Sequence, residues 1–353
     1  MIRETFAMPS EQTVSDAVSV QEKPTVPFKM IGSEEQTAVM TSLINRVAES
    51  DFGREILEDA CALGYTLRMD DLGRTTKGVC RGRQKEIVLS SRMSEDVLVL
   101  TLAHEGRHAG QIGRGAIAGY MPECSLSSLV PHKRLMEADA VTASIVVAEE
   151  LLQKGDYMPV SMARRDYTDM TEAYEQNLEK GEPQQEAMTQ CALKWYDNTP
   201  RKMAYEEDHI MMPLSQGFYA LNKSGGYSDL NTEAGMRAIC SFQGGMYFSD
   251  PGALKTPERA GMSSYTAQWV KKHIEECGKK TGADVSDVVA GLPVYAVSEE
   301  MAGLKERRFG PAPAVLSEKG AQRIKAAVKA GTLKKEKAVA LAPILLNKRL
   351  NSR

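Results

Sequence analysis

Residues Leu102–Ala109 read Leu-Ala-His-Glu-Gly-Arg-His-Ala and contain the pattern His-Glu-x-x-His at His104, Glu105 and His108. On an α-helix, side chains four residues apart project from one face, so both imidazoles can reach the same metal ion. The carboxylate of Glu105 can then hold a water molecule beside that ion and accept its proton. The chain has only 5 histidines, so chance rarely produces this pattern. The stretch predicts a zinc hydrolase, most simply a peptidase.

The residues around this pattern predict that it lies on a helix. Ser94 stands at a suitable N-cap position, and the acidic residues 95–96 suit the positive end of the helix dipole. The apolar positions that follow fall on the same stripe as the two histidines. Gly110 and Gly113 provide the signal that ends the helix. Two imidazoles on an apolar stripe need polar partners, and a metal ion satisfies both.

A catalytic zinc ion takes three protein ligands, so a third must lie elsewhere in the chain. In the metzincin pattern it is a histidine six residues after the second one, but that position is Arg114, and Gln111 stands where the pattern has glycine. The metzincin pattern is therefore excluded.

Glu137 is the better candidate for the third ligand. It lies on an otherwise apolar face of a helix predicted from about residue 131 to 153, where a carboxylate is costly unless it is paired or bound to metal. Two rivals stay open. Asp139, on another face, is better suited to supporting a ligand or capping a neighbouring element. His132, at the start of the helix, is either a ligand or a solvated surface residue.

A resemblance to known families follows from these segments. The His-Glu-x-x-His pattern with a later helical glutamate resembles the gluzincin group of zincin metallopeptidases. Residues 100–109 are also similar to a largely uncharacterised family of bacterial metallopeptidases. The segment 137–140, continuing into 148–152, resembles the third-ligand helix of ImmA/IrrE-type peptidases. The resemblance covers about residues 50–210.

The resemblance implies one Zn²⁺ ion held by His104, His108 and Glu137, with Glu105 as the general base. One departure concerns the support of the histidines. Many gluzincins carry an aspartate four residues after the third ligand, where this chain has Val141. The group that orients His104 or His108 therefore stays unassigned.

The expected architecture is α+β and zincin-like, with a small, mostly antiparallel sheet packed on the motif helix and a predominantly helical remainder. Tyr65–Met69 alternates as a strand, and residues 77–80 and 86–90 flank a turn at 81–84 as a hairpin. Other segments have helical patterns, at about residues 33–62, 132–153, 160–179, 183–197, 199–221, 232–242, 264–280 and 284–290, and residues 111–131 have a loop-like composition.

Four regions are expected along the chain. These are a flexible lead-in (1–33), a zincin-like metallopeptidase domain (34–221), a loop-rich and helical extension (222–310) and a basic helical tail (311–353). That tail is either a solvated helical face or a surface for nucleic acid, anionic lipid or an acidic partner.

Zinc peptidases often use a Tyr or His donor for the oxyanion that forms during hydrolysis. Tyr205 and His209 are candidates for this role. Each also has a simpler interpretation, because a packed aromatic ring or a surface histidine gives the same pattern. Trp195 and Tyr196 are better explained as core residues.

Composition narrows the class of protein further. The net charge of −3 argues against a nucleic-acid binder that uses the whole chain. The 6 cysteines are scattered without a Cys-x-x-Cys pair, which indicates neither a zinc ribbon nor a disulfide framework. No signal-peptide core and no long apolar run occur, so we expect a cytoplasmic protein without a membrane span. Export by a signal-independent route stays open.

The sequence thus predicts a zinc-dependent peptidase that acts on a protein or peptide. The alternative is a zinc protein that is catalytically silent, or a regulatory peptidase with a single substrate, of the repressor-cleaving or exported effector type. An intact Glu105 argues against a silent protein, because a purely structural site has no use for a base.

Overall fold

The computed structural model describes residues 25–117, 124–211, 229–281, 285 and 290–298. The larger of its sheets has four strands, which are β1 (Lys29–Ile31), β2 (Thr66–Asp70), β3 (Gly78–Arg81) and β4 (Glu86–Ser90). Their order is β1-β2-β4-β3, so β3 lies at an edge of the sheet. β1 falls inside the stretch expected as a lead-in, whereas the division of the whole chain into regions stays a prediction.

The expectation of a mostly antiparallel sheet is wrong. β1 pairs with β2, and β2 with β4, in the parallel direction, while β3 and β4 form the predicted antiparallel hairpin. Two helices connect β1 to β2, and such a crossover returns the chain in its original direction. After β2 the chain passes to the far edge of the sheet and runs back as β3. The next strand, β4, then lies between β2 and β3. The sheet is therefore mixed.

The helix expected over residues 33–62 is two helices, α1 (Glu34–Glu49) and α2 (Asp51–Ala62). The break lies at Ser50, which has extended backbone and accepts a hydrogen bond from the Gly53 amide as the N-cap of α2. A Cβ atom at Gly53 would lie 2.2 Å from the carbonyl oxygen of Val47, so the tight junction requires glycine. The apolar pattern continues through the break, which explains why it suggests one helix.

Two long helices carry the predicted site. The motif helix is α3 (Glu95–Gly113), with Ser94 at its N-cap position and its end at the predicted glycine. The next is α4 (Leu126–Gln153), which starts earlier than predicted because the Ser125 side chain caps it and Pro131 is accommodated inside it. The connection expected over residues 111–131 is therefore shorter than predicted. α3 and α4 pack against each other, which brings their facing residues together.

Four further helices, which pack on one another and on α4, are called the helical half below. They are α5 (Met158–Asp166), α6 (Thr168–Glu179), α7 (Gln184–Asp197) and α8 (Thr199–Glu206), and a π-helical turn follows at Glu207–Met211. The helix predicted over 160–179 is broken at Tyr167, whose backbone leaves the helical region. The prediction over 183–197 is confirmed by α7. The helix predicted over 199–221 is described only to residue 211.

The later part of the chain adds several short elements and one longer helix. They are α9 (Glu233–Ile239), β5 (Ser241–Phe242), β6 (Gly245–Met246), a 3₁₀ turn (Pro251–Leu254), α10 (Pro257–Ala260), β7 (Met262–Ser263), α11 (Ser264–Thr281) and β8 (Val294–Tyr295). The helix predicted over 284–290 and the basic tail fall largely or wholly outside the described residues. Across the described ranges, no helix has both the length and the apolarity needed to cross a bilayer.

The main core lies between the four-stranded sheet and helices α1 to α4, and it extends under α7 and α9. A smaller apolar cluster joins the start of α4, the π-helical turn and α11. The sheet thus supports α3 from one side and the helical half supports α4 from the other. The candidate site therefore lies where α3 meets α4, between the sheet and the helical half.

Candidate metal centre

His104 and His108 lie one turn apart on α3, and Glu137 faces them from α4. The Nε2 atom of His104 is 3.6 Å from Oε2 of Glu137, and the Nε2 atom of His108 is 3.3 Å from Oε1 of the same carboxylate. The imidazole rings are perpendicular, with centroids 4.6 Å apart. The structure therefore brings together three candidate ligands from two helices.

These three side chains fit a metal ion by their chemistry as well as their positions. One ligand atom from each lies within 4.8 Å of the other two, and no other such His, Cys, Asp or Glu cluster occurs among the residues described. Two imidazoles and one carboxylate form a donor set typical of a catalytic metal with a position left for water or substrate. All three line a cleft of about 780 Å³, so that position is accessible.

Burial and mutual charge set the protonation of this cluster. Burial alone would raise the pKa of Glu137, but the charges and hydrogen bonds of the two histidines hold it well below its usual value. Burial lowers the pKa of His108, but Glu137 more than offsets this effect, and the pKa is raised to about 9. In the metal-free protein, protons thus supply the positive charge that a cation would supply on binding.

His108 is held by a buried network that sequence reasoning missed. Its Nδ1 atom lies 2.8 Å from Oε1 of Gln111. The Gln111 amide donates to the carbonyl oxygen of Met136 at 3.0 Å and to Asp139 at 2.6 Å, which identifies Oε1 as the acceptor for the histidine. The orientation of the ring therefore leaves Nε2 directed at Glu137. The spacing of Gln111, three residues after His108 on one helix face, could have indicated this contact.

Asp139 anchors that network to the rest of the fold. Its carboxylate accepts two hydrogen bonds from the buried guanidinium of Arg107, at 2.6 and 2.8 Å. Arg107 also donates to the carbonyl oxygens of Ile239 and Ser241, at 3.0 and 2.6 Å. Asp139 thus lies among the groups that support His108, as its position on another face of α4 suggests.

His132 lies apart from the cluster. Its Nε2 atom accepts a hydrogen bond from the backbone amide of Ile117 at 3.0 Å, and the residue is buried. Burial lowers its pKa to about 4, so the ring is neutral. The interpretation as a solvated surface histidine is wrong, because the earlier start of α4 places His132 inside the helix, where it contacts the segment after α3.

Glu105 lies beside the cluster and faces the edge strand. It is 8% exposed and lines the same cleft. A Cβ atom at Gly78, on β3, would lie 3.1 Å from Cγ of Glu105 and 2.5 Å from Cγ2 of Thr101. Glycine at position 78 therefore lets β3 approach α3 closely. Glu105 and the three candidate ligands therefore line one cleft.

Two tyrosines border the cleft from the helical half. Tyr205, predicted as a donor, packs edge-on against Trp195 and stacks on His209, with centroids 5.6 and 4.3 Å apart. Tyr167 was missed, because no local pattern marks it; the break between α5 and α6 places it on the cleft wall. Burial raises its pKa to about 12, and the charge of Glu137 adds to the rise. Trp195 is a buried core residue, as expected.

Comparison with known proteins identifies the family of this chain. The model of a protein family described as "Putative metallopeptidase family (DUF6782)" matches residues 17–246, which is about two thirds of the 353 residues. The chain therefore belongs to that family. The expected likeness to metallopeptidases is confirmed at this level. No curated protein and no solved structure matches this chain.

Proposed function

From its place in this metallopeptidase family, we propose that the chain is a zinc-dependent peptidase. The observation that carries the proposal is the convergence of His104, His108 and Glu137 in a cleft that also contains Glu105. A purely structural zinc site is closed by four protein ligands, whereas this cluster offers three and opens into the cleft. Imidazole and carboxylate ligands suit Zn²⁺ among the common divalent ions.

In the proposed mechanism, His104, His108 and Glu137 hold the ion. Bound Zn²⁺ would polarise the scissile carbonyl group and make water more acidic. Glu105 accepts a proton from the attacking water through its carboxylate and delivers it to the leaving amine nitrogen. Gln111 keeps the His108 ring in one orientation throughout, because its acceptor oxygen binds the Nδ1 proton.

The developing oxyanion of the substrate needs a hydrogen-bond donor. Tyr167 and Tyr205 both present candidates at the cleft wall. We assign the role to Tyr167, because it lines the cleft and because burial, together with the charge of Glu137, raises the pKa of its hydroxyl, which therefore keeps the proton it would donate. The ring of Tyr205 is engaged by Trp195 and His209, which favours a packing role.

The edge strand β3 offers a place for the substrate backbone. Within the described ranges β3 pairs with β4 alone, and its residues Gly78, Val79 and Cys80 line the cleft. An extended peptide can add to such an edge through main-chain hydrogen bonds. This mode places the peptide between β3 and the metal ligands, with Glu105 alongside.

A metal and activity assay tests the proposal. Protein purified without added zinc is expected to contain about one equivalent of Zn²⁺ by elemental analysis and to cleave casein or a peptide library. Glu105→Gln should keep the metal and lose at least about 100-fold in turnover. Glu95→Gln, the same change at the start of α3, should leave turnover unchanged. His104→Ala should lose the metal.

The alternatives predict different results. A zinc protein that cleaves neither casein nor the library would contradict a general peptidase and favour the single-substrate or silent alternative. Capture of one partner by the zinc-loaded Glu105→Gln variant would then identify the single substrate. Full activity of Glu105→Gln would show that another group acts as the base.

A further inference from the structure

Glu206 is the last residue of α8, and its side chain is fully buried next to the wall of the cleft. The π-helical turn follows directly, and two of its residues, Asp208 and His209, line the cleft. Tyr205, which precedes Glu206, lines it too. Turns of this kind are rare and often occur at functional sites. Glu206 thus lies inside a stretch, residues 205–209, that borders the cleft and is called the π-turn wall.

The carboxylate of Glu206 accepts hydrogen bonds from three of the described residues. Its Oε1 atom accepts from the guanidinium of Arg134, from the backbone amide of Ser263 at 3.0 Å and from the hydroxyl of Tyr295 at 2.9 Å. Its Oε2 atom accepts from the Ser263 hydroxyl at 2.6 Å. A buried carboxylate is stable when it is both paired and hydrogen-bonded, and these contacts meet both conditions. They fix the end of α8 relative to its partners.

Arg134 connects this carboxylate to the helix that carries the proposed third metal ligand. It lies on α4, three residues before Glu137, and its side chain is fully buried. Its guanidinium also donates to the carbonyl oxygen of Arg259, at 3.1 Å, and to that of Gly261. The Arg134–Glu206 pair therefore joins the π-turn wall to α4 about one turn away from Glu137.

The other two partners of Glu206 lie after residue 246, the last residue that the family model matches. Ser263 is on β7 and Tyr295 is on β8, and these strands pair with each other. On α8, Lys202 donates to the carbonyl oxygen of Glu258 at 2.7 Å, and its Nζ atom lies 4.3 Å from the centre of the Tyr295 ring. The elements α10, β7, α11 and β8, called the clamp segment, thus contact α8 through several polar groups.

Apolar packing adds to these contacts. Ile210 and Met211, from the π-helical turn, belong to the smaller buried cluster together with Met262 of β7. Trp269 and Val270 of α11 belong to the same cluster. Movement of the turn away from α11 would expose apolar surface to water, which is unfavourable. The clamp segment therefore stabilises one position of the turn.

We propose that Glu206 is a positioning residue, through which the clamp segment holds the π-turn wall against α4 and so determines how tightly substrate binds. The role in substrate binding rests on the proposed peptidase function. Its physical reason is that ordering a mobile wall during binding costs free energy, whereas a wall held in place avoids that cost. None of the described residues of the clamp segment lines the cleft, so the segment acts through Glu206 and the turn.

Hydrogen exchange measured by mass spectrometry tests the positioning without relying on turnover. Tyr295→Phe and the double variant Ser263→Ala/Tyr295→Phe remove one and two hydroxyl donors of Glu206 and keep its pair with Arg134. Amide exchange over residues 207–211 is expected to accelerate about tenfold in the double variant, because the wall opens locally more often. Exchange over α3 and the zinc content should stay as in the parent protein.

Tyr174→Phe is the matched control for the loss of a buried hydroxyl. Tyr174 is a buried residue of α6 that accepts a hydrogen bond from Gln184 at 3.2 Å and does not line the cleft. Its substitution should leave exchange over residues 207–211 unchanged.

Steady-state kinetics on one peptide supplies a second readout. In the Ser263→Ala/Tyr295→Phe variant, KM should rise about tenfold while kcat stays within about twofold, as expected when a contribution to binding alone is lost. The Tyr174→Phe variant should keep both constants.

The outcomes separate positioning from general stability, and both from the peptidase function. Equal acceleration of exchange over residues 207–211 and over α3 in the double variant indicates a general loss of stability and overturns the inference. Unchanged exchange over residues 207–211 overturns it as well. An unchanged KM in a variant whose wall exchanges faster overturns the role in substrate binding. Faster exchange confined to the wall, in a protein that cleaves nothing, supports the clamp and refutes the peptidase.

Discussion

The Nδ1 atom of His108 lies 2.8 Å from Oε1 of Gln111, one turn further along α3. Because the Gln111 amide is committed to Met136 and Asp139, its oxygen can only accept from the histidine. This single contact decides which ring nitrogen faces Glu137. It also connects the candidate metal centre to the buried Arg107–Asp139 pair, at a distance from the cleft.

Gln111→Met should weaken metal binding by about 10- to 100-fold, because the His108 ring loses the group that holds its orientation. Competition against a chromophoric chelator measures the affinity. Gln190→Met is the control, since Gln190 bonds only Glu186 among the described contacts and lies far along the chain on α7. Equal zinc affinity in the parent and Gln111→Met proteins would show that the contact does not orient the ligand.

The metal-free protein should lose stability as the pH rises from about 6.5 to 9. Burial lowers the pKa of His108, but Glu137 more than offsets this effect and the pKa rises to about 9. Protonated His108 therefore stabilises the fold fully below the pKa that it has in the unfolded chain, and this stabilisation is lost as the pH rises through the folded pKa. The contribution is at most about 3 kcal/mol. Urea titrations at several pH values measure it, and a flat profile would contradict the proposed pairing.

Metal affinity should rise over the same pH range, because His108 must release its proton before it can bind a metal ion. Isothermal titration in two buffers of different ionisation enthalpy counts the protons released. The zinc-loaded protein provides the comparison for the stability measurement, since its folding should depend less on pH between 6.5 and 9. Proton release that is the same at both ends of the range would argue against this coupling.

Gly78→Ala should destabilise the protein by about 1–3 kcal/mol and lower activity at least about tenfold. The new methyl group would lie 2.5 Å from Cγ2 of Thr101 and 3.1 Å from Cγ of Glu105, so β3 must move away from α3. Chemical denaturation and peptide cleavage measure the two effects. Gly245→Ala is the control, because a Cβ atom there meets only the Phe242 carbonyl oxygen at 3.8 Å.

Tyr167→Phe should lower kcat by about 100- to 1000-fold with little change in KM, if its hydroxyl donates to the oxyanion. Tyr205→Phe removes the corresponding hydroxyl from a ring packed between Trp195 and His209, and its effect should be smaller. Steady-state kinetics on one peptide compares the two variants. The reverse order of effects would reassign the donor to Tyr205.

Local sequence signals predicted the parts of this protein that depend on neighbours along the chain. The hairpin of β3 and β4, the course of α3 and the α7 helix follow from alternation, caps and helical periodicity. Periodicity alone could not place the break at Ser50, because apolar positions recur in phase on both sides of it. It also could not give the parallel order of the sheet, which depends on how connections cross.

The residues of the candidate site can likewise be separated into those that local sequence signals predicted and those that only tertiary packing brings together. The spacing of His104 and His108 on one helix predicted their shared direction, and an isolated carboxylate on an apolar face indicated Glu137. The packing of α3 on α4 decided that these three meet, with ligand atoms within 4.8 Å. The contacts of Gln111 with Asp139, and the place of Tyr167 on the cleft wall, join elements distant in the chain.

By itself, the sequence determined the motif helix, its two histidines and the neighbouring Glu105, because helical geometry relates residues three and four apart. Only the tertiary structure decided which side chains from other elements complete the cleft. Those contacts depend on the mixed sheet, the approach of β3 allowed by Gly78 and the break at Tyr167. Each is a consequence of packing between distant segments, which no local pattern encodes.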